Sequence, residues 1–213
     1  EEIAGSEVSA SILENGVHAM VHLGDDEITI QPAGDFGIPG PAGRHIIYRS
    51  SRSFAEGQCG NGRFDLPKAD LGFELPGGNP GDPLGGGVAG IGLNLIDLSI
   101  ECDFEFFQRN SNSVTATVND VELIINNCET IYRRDVGIAH DINTVVVRAD
   151  ANDPYTSTTI GGRLDQFRAN WQNAPENDIL RDTAQMFSGV NFAGGTIGLA
   201  WLGSICGTYG YSV

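Results

Sequence analysis

Positive charge is scarce in this sequence: 12 Lys and Arg stand against 28 Asp and Glu in 213 residues, a formal charge of −16. A surface of that sign repels phosphate backbones and anionic bilayers, so neither nucleic acid nor membrane is an expected partner. No apolar run approaches the roughly 20 residues needed to cross a bilayer. A leader is missing too, and the first residue is Glu1, as expected of a chain processed or cut from something longer. The sequence has no Ser within a G-x-S-x-G turn, so a hydrolase of that type finds no nucleophile. Cysteine is sparse, at Cys59, Cys102, Cys128 and Cys206, too widely spaced for a CxxC zinc knuckle or redox pair. An even count without such a motif favours an oxidising compartment, with three pairings available or fewer bridges plus free thiols. Buried cytosolic thiols are the alternative.

What is present begins with alternation. Val8, Ala10 and Ile12 alternate with polar residues, Glu14-Asn15-Gly16 supplies a hairpin turn, and Val17, Ala19, Val21 and Leu23 alternate again. Asp25-Asp26 makes a second turn before Ile28 and Ile30, and His45–Tyr48 is a last strand-like run. Residues 1–60 therefore read as a small β-rich module, and residues 61–92 as a linker, densest in Gly and Pro from Gly72 to Gly92.

Residues 93–213 change period. Leu93–Phe106 reads as a central strand. Val114, Val118, Val121, Ile125, Cys128 and Tyr132 follow at steps of three and four, one face of a helix capped by Asn112 or Ser113 and ended at Gly137. Ile142–Val147 is a second strand. Ile160, Leu164, Phe167 and Trp171 mark a second helix, capped within Tyr155–Thr159 and stopped before Pro175, and strands follow at Thr183–Phe187 and Thr196–Leu202. Strands separated by helices predict an α/β fold with a mainly parallel twisted sheet and two long helices.

The simplest site motifs fail on geometry. Gly86–Gly92 is followed by a strand, whereas a dinucleotide fingerprint needs a strand before it and a helix after it. His18 and His22 have the spacing of a helical zinc pair. On a strand, however, four residues span about 13 Å, too far for ligands at about 2 Å from one metal. They read as surface strand histidines. The acidic pair Asp25-Asp26 reads as a solvated turn. No self-contained catalytic set is visible within the chain.

Four segments nevertheless resemble the reprolysin (adamalysin-like) zinc metallopeptidases of the metzincin clan: Ile96–Asp103, Ile131–Ile138, Arg181–Gly189 and, most specific, Gly195–Cys206. Together they follow the order of that family's elements over roughly residues 93–213. The resemblance implies the N-terminal part of a secreted metalloendopeptidase domain that hydrolyses protein or peptide substrates with zinc-activated water. In the family, zinc is held by an HExxHxxGxxH helix that comes after the segments matched here, so the zinc ligands are expected beyond residue 213 and this stretch alone is expected to be inactive. Gly198, Leu199 and Ala200 match the antiparallel edge strand that pairs with bound peptide; read from the residues alone, they are an ordinary edge strand. Glu56-Gly57-Gln58-Cys59-Gly60 is similar to the family's propeptide cysteine switch, which makes Cys59 an inhibitory zinc ligand, with a structural disulfide as its alternative. Asp97 and Asp182 match two acidic positions of a calcium site. Cys206 matches a position whose disulfide partner lies further on. The other reading is a non-catalytic extracellular peptide-binding or inhibitory protein with the same partial fold.

Overall fold

The computed structural model describes residues 5–24, 26–53, 58–59, 93–205 and 207–213. The linker expectation for 61–92, the Gly86–Gly92 run, Asp25 and Cys206 lie outside the described residues. The elements in chain order are β1 (Ser6–Leu13), β2 (Gly16–Leu23), β3 (Asp26–Pro32), β4 (His45–Arg49), β5 (Gln58–Cys59), β6 (Asn94–Cys102), α1 (Phe104–Arg109), α2 (Val114–Val136), β7 (Ile138–Val147), α3 (Ile160–Trp171), β8 (Thr183–Phe187), β9 (Thr196–Gly198) and β10 (Tyr211–Ser212). They fall into two compact units. One holds Glu1–Ala55 and Asn119–Val136, the other Glu56–Val118 and Gly137–Val213.

The first unit is an antiparallel meander in the order β1-β2-β3-β4, with the predicted turn at Glu14-Asn15 between β1 and β2. Its helix-facing side is polar. The Ser9 hydroxyl lies 3.1 Å from both the Asn126 carbonyl and the Asn127 side-chain oxygen, and Asn126 Nδ2 donates to the Ser11 hydroxyl at 3.0 Å. His45 ties two strands together: its Nε2 accepts from the Val17 amide at 3.0 Å, while Nδ1 donates to the Gly43 carbonyl at 2.7 Å. The reading of His18 and His22 as surface residues is corrected. Both are buried, with His18 Nε2 3.7 Å from an Asp35 carboxylate oxygen and His22 Nδ1 3.3 Å from one of Glu27. The alternation had placed them opposite the apolar residues correctly, but it is the polar face that is covered.

The second unit has a four-stranded sheet, β10-β8-β6-β7, in which every neighbouring pair is parallel. The predicted strand Leu93–Phe106 is shorter than its apolar content implies. It stops at Cys102 because the Asp103 carboxylate accepts from the Phe106 amide at 2.8 Å and caps α1. Helix α2 forms where its period predicts, but of the predicted face only Val121 is fully buried, and Val114 and Tyr132 at its ends are exposed. The Ser113 hydroxyl accepts from the Ala116 amide at 3.2 Å, and Gly137 follows in the left-handed region at φ 64°. Strand β7 begins at Ile138 rather than Ile142, and its register slips at Leu98/Ser99, where Asn143 bulges out. The bulged side chain is used: its oxygen accepts from the Ser99 hydroxyl at 2.7 Å and its amide donates to the Leu180 carbonyl at 2.5 Å. Thr159 caps α3 through the Gly162 amide at 3.3 Å. Phe167 and Trp171 of α3 then meet Tyr211 and Leu199 in a core whose rings pack edge to face.

Candidate functional site

The site is built at one margin of the second unit's sheet. The predicted strand Thr196–Leu202 is regular only to Gly198, but it continues as a pairing partner. The Leu199 amide donates to the Val213 carbonyl at 2.8 Å, the Val213 amide donates back to Leu199 at 2.9 Å, and Ala200 bridges Ser212 in antiparallel sense. Strand β10, which the alternation analysis missed because only two residues qualify, is therefore what holds the rim in place. Successive residues of a strand send their backbone groups to opposite sides. With Leu199 committed to Val213, the amide and carbonyl groups of Gly198 and Ala200 face outward. The Leu199 side chain is buried in the core. Of the three expected site residues, Leu199 is thus anchored in the core, while Gly198 lies in register with Cys59.

Beside this rim lies a cavity of about 660 Å³, lined by Met186, Val190, Phe192, Thr196, Leu199 and Val213 among others. Its walls are set by a buried carboxylate. Asp103 is fully buried and accepts from the Gly189 amide at 2.9 Å, from the Ser188 hydroxyl, and from Arg163 Nη1 at 3.2 Å. Arg163, itself 1% exposed, also donates to the Ser157 carbonyl at 3.1 Å. One side chain thereby joins the end of β6, the start of α1, the turn after β8 and the first turn of α3. Further along the same wall Arg109 donates to the Asn191 side chain at 2.8 Å. Sequence reasoning did not single out Asp103. Its position directly after a strand and three residues before an amide it could cap was the available signal.

A second buried carboxylate, Glu101, accepts from the Trp171 indole and from Arg148, and Arg148 also donates to Glu176 at 2.5 Å. Burial raises the Glu101 pKa above the usual carboxylate range, against the opposing pull of Arg148 and Trp171. Burial and the neighbouring Glu101 push the Tyr155 hydroxyl up as well. These groups brace the sheet against α3 and do not face the cavity rim.

The outer side of the rim carries strand β5. Gln58–Cys59 runs parallel to β9, with Gln58 in register with Thr196 and Cys59 with Gly198. The backbone of the cysteine segment thus lies on the very edge that the sequence marks for peptide. Asp97 and Asp182 are also brought together, at the other end of their strands. The Asp182 carboxylate accepts from the Asp97 amide at 2.9 Å, and the Asp182 amide donates to the Asp97 carbonyl at 2.9 Å. Asp182 thus serves as a strand clamp. Among the described residues no group of three or more His, Cys, Asp or Glu is placed to hold a metal, so the calcium expectation has no support.

A parallel sheet that ends in an antiparallel rim, with a cavity under the rim, is the arrangement expected from the reprolysin resemblance. Residues 92–212 match the sequence family of reprolysin-type peptidases, metallopeptidase family M12. The chain belongs to metallopeptidase family M12. Membership carries a metalloprotease type of function, and with it protein or peptide as the class of substrate. The family is generally zinc-dependent. Among the described residues, no group of three or more His, Cys, Asp or Glu forms a site for that metal. What this M12 chain does supply is the rim, the cavity wall and the strand lying on the rim. The disulfide expectation is not met among the described cysteines. Cys102 and Cys128 are not bridged to one another, and burial raises the pKa of the Cys128 thiol away from its reactive form. No described helix is long and apolar enough to cross a membrane.

Proposed function

We propose that this chain is the latency segment and the peptide-gripping part of a secreted zinc metalloendopeptidase, whose metal-holding helix is encoded after Val213. Gly198 and Ala200 offer outward backbone groups to an extended peptide, which binds as an added strand. The observation that carries the proposal is the pairing of Gln58–Cys59 with Thr196–Gly198. A chain segment held on that edge competes with any peptide for the same donors and acceptors. Cys59 is then the inhibitory ligand: once the metal helix is in place, its thiolate takes the coordination position that a catalytic water needs. Residues 1–60 act as the propeptide, residues 61–92 as the tether, and residues 93–213 as the N-terminal part of the catalytic domain. In this reading the stretch described here is inactive by itself.

The reading frame beyond Val213 is the first test. HExxHxxGxxH within roughly a few dozen codons supports the peptidase; a stop codon at that point removes it and leaves the non-catalytic peptide-binding protein, whose rim is already present. The second test uses the full-length precursor on casein. Cys59→Ala is expected to raise chelator-sensitive cleavage by about ten-fold or more, as removal of a thiolate ligand from zinc implies. Unchanged latency would remove the inhibitory role of Cys59 while leaving the peptidase reading intact.

A further inference from the structure

The meander of the first unit is held by polar groups. Ser9, His18, His22 and Thr29 of its covered side are all at or below 9% exposure. Register puts Glu7, His22 and Glu27 in one row of that side, Ser9, Met20 and Thr29 in the next, and Ser11 and His18 in a third. Of these eight residues only Met20 is apolar. The second half of α2, Asn119–Val136, belongs to the same compact unit and meets this side. The contact runs through Ser9 and Asn126. The Ser9 hydroxyl lies 3.1 Å from the Asn126 carbonyl and from Asn127 Oδ1, and Asn126 Nδ2 donates to the Ala10 carbonyl at 3.3 Å and the Ser11 hydroxyl at 3.0 Å. An obligate contact buries mainly apolar side chains, whereas surfaces that meet through hydroxyls and amides both tolerate water once apart. The start of α2, Val114–Val118, lies in the second unit, so the helix gripped by the meander is continuous with the unit that carries the rim.

We infer that this contact is a releasable clasp, and that the clasp keeps Gln58–Cys59 on the rim; the inference rests on the reading of that strand as the latency segment. Strand β5 pairs over only two residues, and so short a ladder does not hold itself together in water. Its tethers decide whether it stays. Gln58 follows Ser53 on the meander side by five residues, whereas Cys59 precedes Leu93, next to β6, by 34. Bringing the end of a chain back to a fixed point becomes less favourable as about the 3/2 power of its length. With the meander seated on α2, the short connection delivers the strand to the rim. With the meander lifted, only the long connection remains, and the effective concentration of the strand falls by about 18-fold. The surface of α2 around Asn126 is therefore a docking site for the first unit, built in a different unit from the rim. A partner or cleavage that lifts the meander there opens the rim without touching it.

Hydrogen–deuterium exchange on the whole chain, read by mass spectrometry, is the test. It needs neither metal nor activity, so its outcome does not depend on what the gene encodes after Val213. The double variant Ser9→Ala/Asn126→Asp removes the hydroxyl and the Nδ2 donor that make the contact, and it sets a carboxylate against the Ala10 carbonyl. Exchange in the rim peptide that contains Gly198 is expected to quicken by at least about five-fold, towards the limit of about 18-fold, while the amides of β6 and β8 keep their wild-type rates. A rim as slow in the variant as in the wild type would overturn the clasp and leave the latency reading standing. A rim already fast in the wild type would remove the pairing of β5 itself, and the clasp with it. Should far-UV circular dichroism show the variant unfolded, the wild type in rising urea decides. Meander and rim amides must then open together, before those of β6; a rim still protected after the meander has opened would overturn the clasp.

Discussion

At the residue scale, the second unit hangs on a few buried polar side chains that no motif announces. Asp103 neutralises Arg163 and holds the Ser188-Gly189 turn. Replacing it with Ala leaves a guanidinium that is 1% exposed with only the more distant Glu105 carboxylate, at 3.7 Å. A loss of about 3–5 kcal/mol is expected in urea unfolding; a loss under about 1 kcal/mol would show the network to be incidental. Gly189 belongs to the same joint for a steric reason, since a Cβ there would meet the Glu105 carbonyl carbon at 2.2 Å. Gly189→Ala should therefore cost more than about 2 kcal/mol and disturb the cavity wall. Glu101 makes the unit's stability depend on pH. Its folded pKa lies above the ordinary value of 4.5, so the folded chain holds this proton more tightly than the unfolded chain does. That contribution is fully present below the unfolded value and fades as pH climbs through the folded one. The stability difference between wild type and Glu101→Gln should thus move in favour of wild type as pH falls from neutral towards the ordinary value of 4.5. A difference flat with pH would mean that Glu101 ionises like an exposed carboxylate.

At the element scale, the sequence marked the helices better than the strands. The periodic rows of α2 and α3 could be found because a helix repeats the same face every three or four residues whatever it packs against. Their caps could be found for the same reason, and Thr159→Ala should remove about 1 kcal/mol in thermal or urea unfolding through the lost bond to Gly162. Strand ends were less visible. Phe104, Phe106 and Phe107 extend the apolar run past Cys102, and only the capping bond of Asp103 shows where the chain turns into a helix. The two-residue strand β10 carries no periodic signal at all, yet it orients the rim. The meander is legible as strands, and its contact with α2 through Ser9 is not. Ser9→Ala should cost about 1 kcal/mol, because it strips both oxygen atoms of Asn126 and Asn127 of the same partner.

At the scale of the whole molecule, net charge is the dominant influence. With −16 spread over 213 residues, self-repulsion lowers stability at low ionic strength. The unfolding midpoint should rise as salt is increased from about 0.05 to about 0.5 M. Solubility should be least near pH 4.4, where the chain approaches neutrality. A midpoint that falls with salt would point instead to a fold held by surface ion pairs such as Arg133–Glu129.

The sequence by itself determined the α/β class of the second unit and the course of its helices, which are properties of period and local order that a chain carries before it folds. The M12 resemblance added the expectation that Gly198, Leu199 and Ala200 form an edge strand. Tertiary structure alone decided which of those three residues point outward, that Gln58–Cys59 lies against them, that Asp182 clamps Asp97, and that the meander buries its polar side. Each depends on a partner distant in sequence, and pairing between distant segments is selected by the packing of the finished fold rather than by any window of residues.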